Sequence, residues 1–147
     1  MINLPKKLID EAFDENICQG TVIYYVKLPL TVEVKNKFLV LLNRDCSQPD
    51  IYYFLSTSQT KFYESHRKLR NFFVFIPKNT VPFFPLVTLI DCRNPYLVSR
   101  NKLREKYGNH ELNFKGILPA QFMNEVIRIV RKSPLIPPKI KKLILPT

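Results

Sequence analysis

The sequence predicts a mainly β fold, a small and strongly bent barrel closed by flanking helices. Short runs of β-branched and aromatic residues, such as Phe38–Leu42 and Ile51–Leu55, alternate with turn-forming stretches, which is typical of paired strands. Apolar residues recur at helical spacing mainly towards the two ends of the chain. Only three glycines occur in 147 residues, which favours short strands with irregular loops over tight hairpins.

Length and composition predict a single domain over residues 1–147. The chain is 46% apolar, which is enough for a real core and too much for a disordered chain. Within this domain we expect a barrel core over 20–132, an N-terminal helix over 5–16 and a C-terminal extension over 133–147. No apolar run approaches the length of a membrane span, and the N-terminus lacks the apolar segment of a secretion signal.

Two helices have clear sequence signals. Pro5 suits the first position of a helix that ends at Asn16. The stronger helix begins near Pro119 and has one apolar and one polar face. Its apolar stripe comprises Leu118, Phe122, Val126, Ile129 and Val130. A last turn within 133–147 is expected to pack on the domain or on a second subunit, which is commoner than lying on a membrane.

Between the helices the sequence predicts seven strands: Thr21–Leu28, Lys37–Leu42, Ile51–Ser56, Phe72–Ile76, Leu86–Asp91, Tyr96–Val98 and Leu112–Ile117. Pro77–Pro85 contains three prolines, which exclude a central strand there. Arg93-Asn94-Pro95 is expected to turn the chain, so that the fifth and sixth strands are separate. Arg100–Tyr107 is predicted to be a basic helical turn that ends at Gly108.

Positive charge is concentrated in the second part of the chain. Residues 1–60 contain six Lys and Arg against seven Asp and Glu, whereas residues 61–147 contain seventeen against five. Such a concentrated surplus favours a polyanionic partner, of which nucleic acid is the usual one. A basic surface that only aids solubility and an acidic protein partner are the alternatives.

The three cysteines, Cys18, Cys46 and Cys92, are widely spaced and odd in number, so they predict neither a disulfide framework nor a zinc site. This cysteine usage fits a reducing cytosol, and we expect a cytoplasmic protein. The chain has no Gly-rich phosphate loop, no G-x-S-x-G and no His and Cys pair at ligand spacing. We therefore expect neither a cofactor nor a metal site.

The ends of two neighbouring predicted strands carry polar side chains. Lys37 enters the first of these strands, and Ser56-Thr57-Ser58-Gln59 follows the second. If the strands pair, the cation and the hydroxyl groups face the same ligand. The commoner alternative is a solvated lysine and hydroxyl groups that cap a turn.

Residues 60–71 mix basic and aromatic side chains. The candidates for RNA contact within this segment are Lys61, His66, Arg67 and Arg70. Basic residues interleaved with aromatic ones hold phosphates and stack bases. A solvated loop, or a helical turn with buried aromatic residues, is an equal alternative.

Five short motifs follow one another along residues 20–132. They are Gly20–Leu28, Glu33 before Lys35-Asn36-Lys37, Leu55-Ser56-Thr57-Ser58, Leu89–Pro95 with its aspartate, and Gly116-Ile117-Leu118. In this order they resemble the PemK/MazF toxins, a family of small SH3-like barrels that cleave RNA. The chain departs from the family pattern at Lys37, which replaces an arginine, at Phe38, which replaces a proline, and at Leu89, which replaces a basic residue.

The resemblance implies a toxin-type, metal-independent endoribonuclease with an SH3-like barrel, an RNA substrate and an antitoxin partner. In such enzymes the ribose 2′-OH attacks the adjacent phosphorus, which needs a base, an acid and a cation. Lys37 would stabilise the phosphate charge, Thr57 would bind a non-bridging oxygen, and Asp91 would serve as the base or cap the turn that follows it. His66 is an alternative acid or base. Further phosphate contacts would come from Ser56, Ser58 and Arg93.

Two other functions stay open on the sequence. One is a non-catalytic module of the same fold that binds RNA or DNA through its basic half. The other is a protein-interaction domain whose basic face meets an acidic partner, such as an antitoxin segment. A homodimer is compatible with each of them.

Overall fold

The computed structural model describes residues 5–30 and 33–146. The first four residues of the predicted domain, and Thr147 at the end of the predicted C-terminal extension, lie outside the described residues. The elements in chain order are α1 Lys6–Asn16, β1 Thr21–Pro29, β2 Val34–Leu41, β3 Asp50–Thr57, α2 Lys61–Ser65, a 3-10 helix Arg67–Phe72, β4 Phe73–Ile76, β5 Thr88–Ser99, α3 Arg100–Gly108, β6 Leu112–Ile117, α4 Ala120–Lys132 and α5 Pro138–Ile144. Across these ranges, every helix is too short or too polar to cross a membrane.

The six strands form one antiparallel sheet in the order β4-β5-β3-β2-β1-β6. The sheet curls into a half-barrel that stays open, because β4 and β6 are its two edges and do not pair with each other in the described part of the chain. The predicted mainly β architecture with flanking helices is therefore confirmed.

Both faces of the sheet are buried, which explains the continuous apolar run in β2. Successive side chains of a strand point to opposite faces, so Leu39 and Leu41 lie in one core and Val40 and Leu42 lie in the other. The core that holds Leu39 is covered by α1 and α3. The core that holds Val40 is covered by α4 and α5.

Strand β5 is the main departure from the predicted elements. The expected turn at Arg93-Asn94-Pro95 is wrong, because a single strand runs through these residues. The register between β5 and β3 shifts between Asp91, which pairs with Leu55, and Tyr96, which pairs with Tyr53. The residues between Asp91 and Tyr96 therefore bulge opposite a single residue of β3. A proline has no N–H to donate and is tolerated in such a bulge.

The C-terminal extension packs on the domain. Ile136 and Ile144 are buried in the core beneath α4. The side-chain amide of Gln19 donates hydrogen bonds to the carbonyl oxygens of Leu42 at 2.7 Å and of Ile144 at 2.8 Å. These contacts join α5 to the start of β1 and the end of β2.

Acidic side chains of α1 neutralise basic side chains of α3. Asp14 accepts hydrogen bonds from Arg100 at 2.7 Å and from Arg104 at 3.2 Å, and Arg104 also lies 3.8 Å from Asp10. Both guanidinium groups lie over the ring of Phe13, at 5.2 and 5.5 Å from its centroid. Much of the positive charge of α3 is therefore balanced within the chain.

The contact between α1 and α3 predicts a stability that depends on pH. The hydrogen bond from Arg100 is the main cause that lowers the pKa of Asp14 below its ordinary value of 3.8. A carboxyl group whose folded-state pKa is lowered contributes stability above its unfolded pKa and loses that contribution as the pH falls through the folded pKa. Asp14→Asn should therefore lower the Tm at pH 7, and the difference from the wild type should shrink as the pH falls below 3.8.

The matched control for Asp14 is Glu15→Gln. Glu15 is an exposed neighbour on α1 that forms no salt bridge within residues 5–30 and 33–146. Thermal unfolding of the three proteins across the acid range is the measurement. A Tm difference for Asp14→Asn that stays constant down to acid pH would contradict the assigned role.

Candidate functional site

Two adjacent pockets lie beside the ends of β2 and β3. Their volumes are about 450 Å³ and 780 Å³, and Thr57 and Gln59 line both of them. Because they share these two residues, the first and second pockets adjoin each other, and we refer to the two together as the groove. The first pocket is further lined by Tyr24, Lys35, Asn36, Lys37, Ser58 and Phe83, among others. The second is further lined by Lys61, Phe62, Tyr63, Phe73, Asp91 and Arg93, among others.

The end of β3 separates the two pockets. Thr57 is the last residue of β3, and its Oγ1 accepts a hydrogen bond from the backbone N–H of Gln59 at 3.1 Å. The pairing of β2 with β3 ends at Leu39 and Leu55, and Lys37 and Thr57 each lie two residues beyond that pair. Lys37 and Thr57 therefore line one pocket, although they are twenty residues apart in sequence.

Asp91 lies beyond Thr57, in the second pocket. Its carboxylate accepts three hydrogen bonds from Arg93, one from the backbone N–H at 3.1 Å and two from Nε and Nη2 at 2.9 and 2.7 Å. A carboxylate has about four lone-pair positions, so little acceptor capacity remains for a ligand. The alternative role, capping a turn after Asp91, does not apply, because the hydrogen bond from the backbone N–H of Arg93 lies within β5.

The guanidinium group of Arg93 is held on several sides. It lies over the rings of Phe62 and Phe73, at 4.6 and 5.3 Å from their centroids. The hydrogen bond to Asp91 raises the pKa of Arg93. A phosphate at this position would have to compete with the carboxylate of Asp91.

The positive charge of the groove comes mainly from two lysines. Four cations and one carboxylate line the two pockets. Arg93 is paired with Asp91, and the Nζ atom of Lys35 lies 3.1 Å from Glu33. Lys37 and Lys61 form no salt bridge with any residue of the described ranges. These two side chains leave the groove with a positive field.

The predicted phosphate contacts Ser56 and Ser58 differ in exposure. Both line the first pocket. Ser58 is exposed, whereas Ser56 is buried and its Oγ lies 3.4 Å from the carbonyl oxygen of Phe38. Ser58 is therefore the hydroxyl group that a ligand in this pocket reaches more readily.

Of the other predicted RNA contacts, Lys61 lies on α2 and lines the second pocket, whereas His66 after α2 and Arg67 and Arg70 on the 3-10 helix lie outside the lining of both pockets. Arg70 donates to the carbonyl oxygens of Tyr63 and Glu64 and lies 4.7 Å from the ring centroid of Tyr63, so it holds α2 in place. Arg67 is exposed. The ring of His66 stacks on Phe62 at 3.9 Å. Its Nδ1 lies 2.8 Å from the carbonyl oxygen of Phe62 and 2.9 Å from the hydroxyl oxygen of Ser65.

The three predicted catalytic residues do not all line one pocket. Lys37 and Thr57 share the first pocket, and Thr57 and Asp91 share the second. A ligand that contacts all three must lie across Thr57, along the length of the groove. The geometry therefore matches an extended chain better than a compact small molecule.

Sequence reasoning missed one wall of the groove. It assigns the loop over Pro77–Pro85 only the role of a connection, yet Phe83 and Phe84 line the first pocket. The available signal was a pair of adjacent phenylalanines between Pro82 and Pro85, which is more apolar than a solvated connection requires. The amide of Asn36, also in this pocket, had no distinguishing sequence signal.

Thiol chemistry is disfavoured at two of the cysteines. Burial raises the pKa of the Cys46 thiol to about 12 and raises the pKa of the Cys92 thiol well above its usual value. The reactive form of cysteine is the thiolate. Burial therefore disfavours the thiolate form at both side chains.

Neither a search for metal-binding groups nor comparison with other proteins identifies a further functional residue. Within the part of the chain that the structure describes, no three His, Cys, Asp or Glu side chains are grouped so as to hold a metal ion. The chain was compared with protein families, curated proteins and solved structures, and none of these comparisons gave a match.

Proposed function

We propose that the protein binds single-stranded RNA in the groove formed by the two pockets. The observation that carries this proposal is the lining itself, in which Lys37 lines the first pocket and Lys61 the second, and neither forms a salt bridge with another described residue. Successive phosphates of a strand would contact the two lysines, since cations that track a backbone are the common device of single-strand binding.

Hydroxyl and amide groups between the lysines favour RNA over DNA. Ser58 and Gln59 are exposed and line the groove, and Asn36 adds a further amide. A ribose 2′-OH both donates and accepts hydrogen bonds, which is how a protein distinguishes RNA from DNA. We therefore expect RNA to bind more tightly than DNA of the same sequence.

Binding should weaken steeply with salt, and one lysine should account for a defined part of the slope. Each phosphate contact on a single strand contributes about −0.7 to the slope of log K against log salt concentration. Lys61→Ala should therefore reduce the steepness of the slope by about 0.7 and weaken binding at low salt. Fluorescence anisotropy of a labelled RNA over a salt series measures both quantities.

The matched control for this titration is Lys142→Ala. Lys142 is an exposed lysine of α5 that lines neither pocket. If Lys142→Ala and Lys61→Ala change the slope equally, the charge of the whole surface and not the groove binds the RNA. If the wild type binds neither RNA nor DNA at low salt, the proposed function is wrong.

We further propose that the bound RNA is cleaved, so that the protein acts as a toxin-type endoribonuclease. The observation that favours this activity is that Lys37 and Thr57 line one pocket while Asp91 lies beyond Thr57 in the same groove. Attack by a 2′-OH on the adjacent phosphorus breaks the bond to the 5′-oxygen of the next nucleotide. Asp91 would accept the 2′-OH proton through its remaining lone-pair position, and Thr57 would bind a non-bridging oxygen. The ammonium group of Lys37 would stabilise the phosphate charge and give a proton to the departing 5′-oxygen.

A further inference from the structure

The loop between β4 and β5 reaches from one edge of the sheet to the other. It follows β4, and its residue Phe83 packs against Gly116 of β6. A Cβ atom at Gly116 would lie 2.7 Å from the ring of Phe83, and Gly116 has a φ of 149°. Both facts require a glycine at this position. Gly116 therefore leaves the space that the ring of Phe83 occupies.

The turn that carries Phe83 is rigid. The backbone N–H of Phe84 donates to the carbonyl oxygen of Val81 at 2.9 Å, which closes a β-turn with Pro82 at its second position. Val81 and Phe84 are buried, at 1% and 3% exposure. Phe84 also packs edge-on against Phe38, with the ring centroids 5.4 Å apart. The turn is thus a preformed wall of the first pocket.

Phe83 is the ring of the groove that the described cations and rings cover least. In the first pocket, Lys115 lies over the ring of Tyr24 at 5.8 Å, Tyr24 packs against Phe38, and Phe83 packs edge-on against Phe84 at 4.9 Å. In the second pocket, side chains of the protein itself already lie over the rings, with Arg93 over Phe62 and Phe73 and Arg70 over Tyr63. Phe83 is only half-buried, and no cation of the described residues lies over it.

We propose that the first pocket holds one unpaired base of the RNA, stacked on Phe83, with Lys37 at the adjoining phosphate. This inference rests on the proposed function and adds a specificity to it. A base within a duplex offers no free face for stacking, so the subsite selects unpaired nucleotides. Phe83 is the specificity-determining residue of this subsite.

The test uses a single-stranded RNA that contains 2-aminopurine, whose fluorescence falls when the base stacks on an aromatic ring. The wild type should quench this fluorescence. Phe83→Leu keeps an apolar side chain against Gly116 but removes the ring. It should abolish quenching and weaken binding at least about fivefold, the minimum expected for one stacked base. Phe83→Tyr restores a ring and should restore quenching.

The control variant is Tyr96→Ala, which removes an exposed ring that lines neither pocket. It should leave quenching and affinity unchanged. An RNA hairpin of matched length, whose bases are paired, should compete weakly for the wild type. Thermal unfolding of each variant shows that the binding assay is done on folded protein.

The outcomes separate this inference from the proposed function. If the wild type fails to bind single-stranded RNA at low salt, the proposed function itself is wrong. If the wild type binds with the expected salt dependence but Phe83→Leu quenches and binds like the wild type, the base subsite is overturned and RNA binding stands. Equal competition by the hairpin would also overturn the subsite.

Discussion

Phe122→Ala is expected to lower the free energy of unfolding by about 3–5 kcal/mol, because it deletes a large ring from a closed core. Phe122 is 7% exposed and packs with Leu118, Val126 and Val130 against the sheet. The cavity left behind cannot collapse readily, since the strands of the sheet and α5 hold the surrounding side chains.

Urea denaturation measures this loss as a shift of the midpoint at an unchanged slope. The control is Gln121→Ala, the exposed neighbour on α4, which should change stability by less than about 0.5 kcal/mol. An unchanged midpoint for Phe122→Ala would mean that α4 does not pack on the sheet as described.

The helix α4 shows what a local pattern can predict. Its apolar stripe is predicted from spacing alone, and every residue of the stripe is buried. The spacing of apolar residues within the segment is enough to predict a helix with one apolar face. That face is then buried because it packs against the core. Strand β6 could be predicted equally well, because turn-forming residues bound Leu112–Ile117. The observed strand begins and ends at the predicted residues.

Strand β5 shows what such a pattern cannot predict. Arg93-Asn94-Pro95 has the composition of a turn, and local chemistry favours one. The pairing of Asp91 with Leu55 and of Tyr96 with Tyr53 on β3 overrides that preference by absorbing the extra residues in a bulge. Whether these residues form a turn or a strand thus depends on pairing with β3, which lies about forty residues earlier in the chain.

The charge surplus of residues 61–147 was an incomplete guide to the charged surface. Arg100 and Arg104 belong to that part of the chain, yet both pair with acidic residues of α1, Arg100 with Asp14 and Arg104 with Asp14 and Asp10. Sequence counts cannot show pairing between distant segments. The positive groove therefore depends on Lys37 and Lys61, one from each side of the charge boundary.

Part of the candidate site could be predicted from the sequence, and part could not. Lys37 and Thr57 lie on neighbouring antiparallel strands. Their positions at the ends of two predicted strands indicated that they would face the same site. The pair of Asp91 and Arg93 was also visible in principle, because residues two apart in a strand share a face. The contact of Phe83 with Gly116 was not visible, because it joins opposite edges of the sheet.

Lys37→Ala is expected to lower the rate of RNA cleavage by about a hundredfold or more, the usual effect of removing a group that stabilises transition-state charge. Lys35→Ala is the matched control. Lys35 lines the same pocket, but its charge is paired with Glu33, so its loss should change the rate little. The measurement is single-turnover cleavage with saturating protein, in which weakened binding is not limiting. Equal losses in the two variants would contradict a specific role for Lys37.

Asp91→Asn distinguishes an enzyme from a binding module. If Asp91 is the base, cleavage falls while RNA affinity stays equal or rises, because the amide of an asparagine side chain cannot take the 2′-OH proton and no longer neutralises Arg93. If Asp91 only holds Arg93 in place, the wild type and the variant show the same cleavage, or neither cleaves, and only affinity changes. Measuring affinity and single-turnover rate on the same RNA separates these outcomes. A variant that cleaves as fast as an active wild type would remove Asp91 from the mechanism and leave Lys37 and Thr57 as its remaining candidates.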